Sequence, residues 1–271
     1  MTELSGRTVA LTGAGSGIGR ALALLLADKG VRLALADKDA AGLDETKHLL
    51  GNAPATATVL DVTDTAALTA WVDEAAREFG ALHGIINNAG LSVVAPFADC
   101  PAADFDRVMD VNFGGVVAGC RAALPHLRTV DAAWIVNISS VFGMMGYPAQ
   151  AAYNASKYAV RGLTEALHLE LGVTDPHIRV TRVHPGGIKT NVARNAKFIK
   201  GMPGHDATAN QGDAFEKLAR TTPAQAAATI VAGMERGQHR VLIGPDARFI
   251  DIVTRVFPTT YWTWISRFLV S

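Results

Sequence analysis

Tyr153 and Lys157 stand four residues apart in Tyr153-Asn154-Ala155-Ser156-Lys157, a spacing that puts both on one helix face, one turn apart. A tyrosine phenol titrates near ~10, so only about one part in a thousand is phenolate at neutral pH. A nearby ammonium favours the phenolate, and drawing the phenol to near ~7 takes roughly 4 kcal/mol of differential stabilisation. Such a group accepts a proton from an alcohol or donates one to a carbonyl oxygen. The pattern alone is also an ordinary helical pairing, so what precedes it decides. Upstream, the run 134–140 ends in Ser139-Ser140, either of which offers a hydroxyl to the same pocket.

An apolar run at 8–11 leads into Thr12-Gly13-Ala14-Gly15-Ser16-Gly17-Ile18-Gly19 and then a helical stretch. Strict G-x-G-x-x-G fails here, because Ile18 and Arg20 stand where its last glycine would fall; T-G-x-x-x-G-x-G fits. Glycines permit positive φ and close backbone approach, and a helix N-terminus presents free N–H groups to a pyrophosphate. Asp37 closes the next apolar run, 24 residues after Gly13, at about the ~20-residue distance of a ribose ligand. A carboxylate there accepts from a ribose diol and repels a 2′-phosphate, favouring NAD over NADP; otherwise Asp37 is a turn-starting residue. Lys38 and Arg20 are cations that would partly neutralise a phosphate. Asp61-Val62 follows a third run, where Asp61 suits an adenine amino group and Val62 a backbone contact. Asn87-Asn88-Ala89-Gly90 closes a fourth, and its amides equally suit a tight turn.

The elements that must position these groups follow an alternating rhythm. Strands are predicted at 8–11, 32–36, 56–60, 84–87, 134–138, 179–184 and 241–243, with amphipathic stretches such as 19–29, 66–79, 105–127 and 153–171 between them. Near-continuous apolar strands separated by helices imply a doubly wound α/β fold: a parallel sheet of about seven strands with helices on both faces. No linker or repeat divides the chain, so 1–271 reads as one catalytic domain. Residues 187–222, with Gly201-Met202-Pro203-Gly204, break the rhythm as a candidate substrate loop. Residues 246–271 form an aromatic-rich extension.

Composition excludes several functions. Lys plus Arg and Asp plus Glu both number 25, which leaves no basic footprint for nucleic acid. Cys100 and Cys120 lack metal or disulfide spacing, and no histidine pair has ligand spacing, so no metal site is expected and a reducing cytoplasm suits the chain. The start is not a secretory signal, and no apolar run approaches the ~20 residues that span a bilayer. No G-x-S-x-G elbow suggests a hydrolase.

Together these residues resemble a classical short-chain dehydrogenase/reductase, through TGAGSGIG at 12–19, Asp37, Asp61-Val62, NNAG at 87–90, Asn112, Ser140, Tyr153, Lys157 and PGGIKT at 185–190. The resemblance implies that Tyr153 is the general acid/base and that Lys157 lowers its pKa while binding the nicotinamide ribose. It selects Ser140 over Ser139. It implies that Asn112, which pattern alone places on a solvent-facing side of one long helix, distorts that helix and holds a water in a proton relay. The glycine turn (Gly13, Ser16, Gly17, Ile18, Gly19), Asn88, Ala89, Gly90, Pro185, Gly186, Ile188 and Thr190 join the cofactor site, with Ile188 and Thr190 holding the nicotinamide carboxamide. A homodimer or homotetramer is also implied, built on a four-helix contact that Gly114, Gly115 and Gly119 would let close.

The expected activity is reversible hydride transfer between NAD(H) and a secondary alcohol or ketone. Ala95, Pro96, Phe97, Val141, Met144, Met145, Tyr147, Phe198, Ile199 and Met202 are candidate pocket residues and suggest a lipophilic substrate. An NADPH-dependent ketoacyl reductase is disfavoured by Asp37. A non-catalytic NAD-binding regulator is disfavoured by intact Ser140, Tyr153 and Lys157. The resemblance fades after Pro245, and the aromatic tail suits a core or oligomer element better than peripheral contact with a membrane.

Overall fold

A computed structural model describes residues 3–189, 196–201 and 221–269. The chain starts with β1 (Thr8–Thr12), α1 (Gly17–Asp28), β2 (Arg32–Asp37), α2 (Ala40–Leu49), β3 (Ala55–Val59), α3 (Thr65–Phe79) and β4 (Gly84–Asn87). A short β5 (Val93–Val94) leads to α4 (Ala102–Met109), a π turn at Asp110–Gly114, α5 (Gly115–Leu127), β6 (Ala133–Ile138), α6 (Ala151–Thr174) and β7 (Ile178–Pro185). Then come β8 (Lys197–Phe198), α7 (Pro223–Glu235), β9 (Arg240–Ile243), α8 (Pro245–Val256) and α9 (Tyr261–Leu269).

Seven strands form one parallel sheet in the order β3-β2-β1-β4-β6-β7-β9. The strands β1, β4 and β6 are buried along their whole length, which is why they read as unbroken apolar runs. One face of the sheet packs Leu22 and Leu26 of α1 with Ile230 and Met234 of α7. The other packs Trp71 and Val72 of α3 with Ala123 and Leu127 of α5 and Val160 of α6. Chain direction across the sheet reverses between β1 and β4, so the turns after these strands meet at the switch point where such sheets open a crevice.

Three expectations need correction. The stretch 105–127 is not one helix: the π turn divides it, for a reason seen in the site. The irregular region after β7 contains β8, which pairs with β5 in a second small parallel sheet. Gly115 and Gly119 do not open a helix face to another copy. They face inward, where an added Cβ would press on Val62 and Asn87 respectively. Among the described residues, no helix is long and apolar enough to cross a membrane, and no group of three His, Cys, Asp or Glu could hold a metal ion.

Candidate active site

The turn after β1 is shaped by contacts that leave no room for side chains. Gly13 has φ +68°, and a Cβ there would lie 2.8 Å from the Asn88 side chain and from the Ala89 backbone. Asn88 donates through Nδ2 to the carbonyls of Thr12 (3.1 Å) and Gly13 (2.9 Å), so its amide braces the turn. The Thr12 hydroxyl accepts from the N–H groups of Asn88 and Ala89, tying the ends of β1 and β4 together. Ser16 is the N-cap of α1 and makes no side-chain capping bond, so the first N–H groups of the helix, at Gly17, Ile18 and Gly19, have neither an intrahelical partner nor this cap.

Asp37 ends β2 beside this turn. Its Oδ2 accepts from Gly15 N–H at 2.8 Å and its Oδ1 from Asp39 N–H at 2.9 Å. An ionised carboxylate offers about four acceptor sites, so a ribose diol can still bond there. A Cβ on Gly15 would lie 2.9 Å from Asp37 Oδ2. The combination of a tight glycine turn, unused helix donors and a carboxylate with spare acceptor capacity fits a dinucleotide. Arg20, the cation next to the glycine turn, is held in place by the chain. Its Nε donates to the Thr46 hydroxyl, and its Nη2 to the carbonyls of Gly15 and Gly42 and to Glu45. Asp61 accepts from the Thr63 N–H and hydroxyl, and the N–H above all lowers its pKa. Val62 packs its side chain beside Gly115.

Tyr153 occupies the first turn of α6 and Lys157 the second. The Lys157 Nζ lies 5.6 Å from the Tyr153 ring centroid and donates to the Ile138 carbonyl at the end of β6 at 2.9 Å. Gly90 adjoins both Lys157 and Asn112: a Cβ there would sit 3.5 Å from Nζ and 3.2 Å from Asn112 Oδ1. The two serines separate cleanly. Ser139 donates to the Lys157 carbonyl at 2.8 Å, whereas the Ser140 hydroxyl accepts from Phe142 N–H and acts on the Tyr153 phenol, favouring its ionised form. Burial pushes the phenol up to about 12, opposed by the Ser140 hydroxyl, and pushes the Lys157 ammonium down to about 8. In the chain without cofactor, burial therefore outweighs the groups that favour the phenolate.

Asn112 is fully buried at the centre of the π turn rather than solvent-facing. Its Nδ2 donates to the Leu91 carbonyl and to Ser156 Oγ, and its Oδ1 accepts from Leu91 N–H. Ser156 donates in turn to the Tyr153 carbonyl at 2.8 Å. The extra residue of the π turn is what carries this side chain inward to meet three partners.

Pro185 ends β7 and Gly186 N–H donates to Ile243 of β9 at 3.0 Å. Gly187 N–H donates to Asp246 Oδ2, and Ile188 is buried and bridged to Thr221. Thr190 and Met202 lie outside the described residues. Opposite this turn, Phe142 meets Tyr153 edge-on at 5.9 Å, Tyr147 stacks on Phe142 at 5.0 Å, and Trp262 of α9 meets Tyr147 edge-on at 5.6 Å. Met144 and Met145 pack instead against Ala247, Ile250, Val253 and Ile265. Phe97 is largely exposed, and Phe198 lies on the small sheet.

The sequence assigned no place in the site to Thr12, Leu91, Ser156 or Asp246, nor to His184, weighed only as a metal ligand, or Tyr261, weighed only as part of the aromatic tail. Thr12 and Ser156 lie inside motifs already singled out, and Tyr261 inside the aromatic tail.

Comparison with known proteins matches residues 7–198 to the short chain dehydrogenase family. SadH of Mycobacterium tuberculosis, which bears an oxidoreductase name, is 43% identical over 265 residues, covering 96% of this chain and 94% of its own. Levodione reductase of Leifsonia aquatica is 37% identical over 200 residues, covering 72% of this chain and 74% of its own. Among solved structures, a short chain dehydrogenase/reductase from Burkholderia phymatum in complex with NAD superposes with a TM-score of 0.87 at 29% identity, covering 94% of this chain and 95% of that one. With this fold, this crevice and these relatives, the chain belongs to the short-chain dehydrogenase/reductase family of oxidoreductases.

Proposed function

We propose that the enzyme interconverts a lipophilic secondary alcohol and its ketone, with NAD(H) preferred over NADP(H). The observation that carries this reading is the Lys157 Nζ 5.6 Å from the Tyr153 ring centroid, one helical turn away, with Gly90 of the crevice beside Nζ. The nicotinamide, when bound, takes up or releases the hydride. The amides of Gly13, Ser16, Gly17, Ile18 and Gly19 hold the pyrophosphate, Asp37 the adenosine ribose, and Asp61 and Val62 the adenine. Asn88, Ala89, Gly90, Pro185, Gly186, Ile188 and Thr190 line the remainder, with Lys157 on the second ribose.

In the oxidising direction the alcohol proton passes to Tyr153 Oη, while Ser140 holds the substrate oxygen. In reduction Tyr153 returns the proton to the carbonyl oxygen. Lys157 and the positive end of α6 favour the phenolate, offsetting part of the burial penalty. Asn112 keeps the π turn and Ser156 in register and serves the proton path through Lys157. The aromatic wall of Phe142, Tyr147 and Trp262 favours an apolar substrate over a sugar. We also infer one catalytic domain over 1–271, a cytoplasmic setting from the two free thiols Cys100 and Cys120, and a homodimer or homotetramer; exposed Leu169 and Val173 on α6 suit a contact between copies.

The test is a panel of secondary alcohols, from 2-propanol to sterols, assayed with NAD+ and NADP+ by absorbance of the reduced cofactor. Turnover rising with substrate apolarity and faster with NAD+ is expected. Binding of NAD+ with no turnover across the panel overturns the reading.

A further inference from the structure

The family match ends at residue 198, yet a side chain from well beyond it reaches the nicotinamide end of the crevice. Asp246 lies in the first turn of α8, after Pro245. Its Oδ2 accepts from Gly187 N–H at 2.5 Å, across 59 residues of sequence. The fit is close on both sides: a Cβ on Gly186 or on Gly244 would fall directly on the Asp246 carboxylate. Gly244 also has φ +94°, a backbone state that glycine adopts without strain and that turns the chain from β9 into α8.

The helix bearing Asp246 is itself fixed. Ala247, Ile250 and Val253 are buried against Val141, Met144, Met145 and Ile265. Asp251 pairs with Arg240 of β9 and, at 2.9 Å, with Arg255. A carboxylate near a helix N-terminus is also stabilised by the helix's own free donors. We infer that Asp246 is a positioning residue: through Gly187 it sets the turn 186–188 against the nicotinamide end of the bound dinucleotide, making the C-terminal extension part of the cofactor site. This rests on the proposed placement of the nicotinamide at that turn.

The experiment separates local from global effects by comparing NAD+ with ADP-ribose, which lacks the nicotinamide. Dissociation constants for both are measured by calorimetry on full-length wild type, Asp246→Ala and Asp246→Asn, with thermal midpoints recorded alongside. Losing a hydrogen bond to a charged acceptor predicts NAD+ binding weaker by about tenfold or more in Asp246→Ala, with ADP-ribose affected less than about twofold. Asp246→Asn keeps an acceptor and recovers part of the loss. Equal weakening of both ligands, or unchanged NAD+ affinity, overturns the inference. Should Asp246→Ala fail to fold, Asp246→Asn decides on the same criterion. No turnover is needed, so an enzyme inactive on every alcohol but showing this split contradicts the proposed reaction and leaves the role of Asp246 standing.

Discussion

Asn112 and Leu91 exchange two hydrogen bonds, Asn112 Nδ2 donating to the Leu91 carbonyl at 2.9 Å and Leu91 N–H donating to Asn112 Oδ1 at 2.8 Å. The pair fastens the π turn to the segment that follows β4, and the third bond, to Ser156, extends it to α6. Two backbone groups at Leu91 thus depend on one side chain. Asn112→Ala leaves both without these partners, at about 1–3 kcal/mol each, so the variant should unfold at clearly lower urea with an unchanged m-value. Unfolding curves that superpose on wild type would show that the pair contributes nothing to the fold.

Asp37 sits on the same side of the crevice as Gly15, whose N–H it accepts. Asp37→Ala removes the acceptor proposed for the ribose diol and, with it, the charge proposed to repel a 2′-phosphate. The ratio of kcat/KM for NADH to that for NADPH should fall by about 10- to 100-fold, in keeping with loss of charge-assisted hydrogen bonds. Steady-state kinetics with both cofactors measures it, and a ratio left unchanged contradicts the role given to Asp37.

The sheet was legible because its buried strands are unbroken apolar runs whose ends coincide with glycine, asparagine and aspartate. The glycine turn and the pair Tyr153 and Lys157 were legible because their physics is local, set by spacing along one turn or one helix. What escaped depends on partners far apart in the chain. The burial of Asn112 follows from Leu91 and Ser156; spacing alone left Ser139 and Ser140 open, and Ser140, which the resemblance selected, is the one that does not bond the backbone of α6. Asp246 lies 59 residues from the glycine it holds, and no local pattern marks it. The raised phenol pKa is likewise a property of burial, which spacing does not report.

His184 is buried beneath the site, its Nδ1 bonded to the Ser140 carbonyl, and burial drives its pKa down to about 4 from the ordinary 6.5. A lowered folded-state pKa means stability that is complete above pH 6.5 and is lost as pH falls through 4, the unfolded chain binding the proton first. The shift corresponds to about 3 kcal/mol. His184→Asn removes the titrating group while keeping a donor for Ser140. Urea unfolding from pH 7 to pH 4 should show wild type losing more stability than the variant; parallel losses would contradict the assignment.

Tyr261 of α9 accepts from Gly146 N–H at 2.9 Å, anchoring the turn that carries Tyr147. Tyr261→Phe removes only that acceptor, so the folded protein should lose about 1 kcal/mol while the alcohol KM rises and the NAD+ dissociation constant stays constant. A KM equal to that of wild type would detach the C-terminal helix from the substrate wall.

The proposed reaction requires that the Tyr153 oxygen move the proton during hydride transfer. Tyr153→Phe deletes that oxygen and leaves a ring to face Phe142. Single-turnover reduction of NAD+ by a secondary alcohol, with cofactor affinity measured on the same samples, isolates the step. A rate about 100- to 10,000-fold below wild type, with NAD+ affinity changed less than about twofold, is expected. A rate within about tenfold of wild type at unchanged affinity would contradict that requirement, because general acid–base catalysis by this group would then supply little of the acceleration.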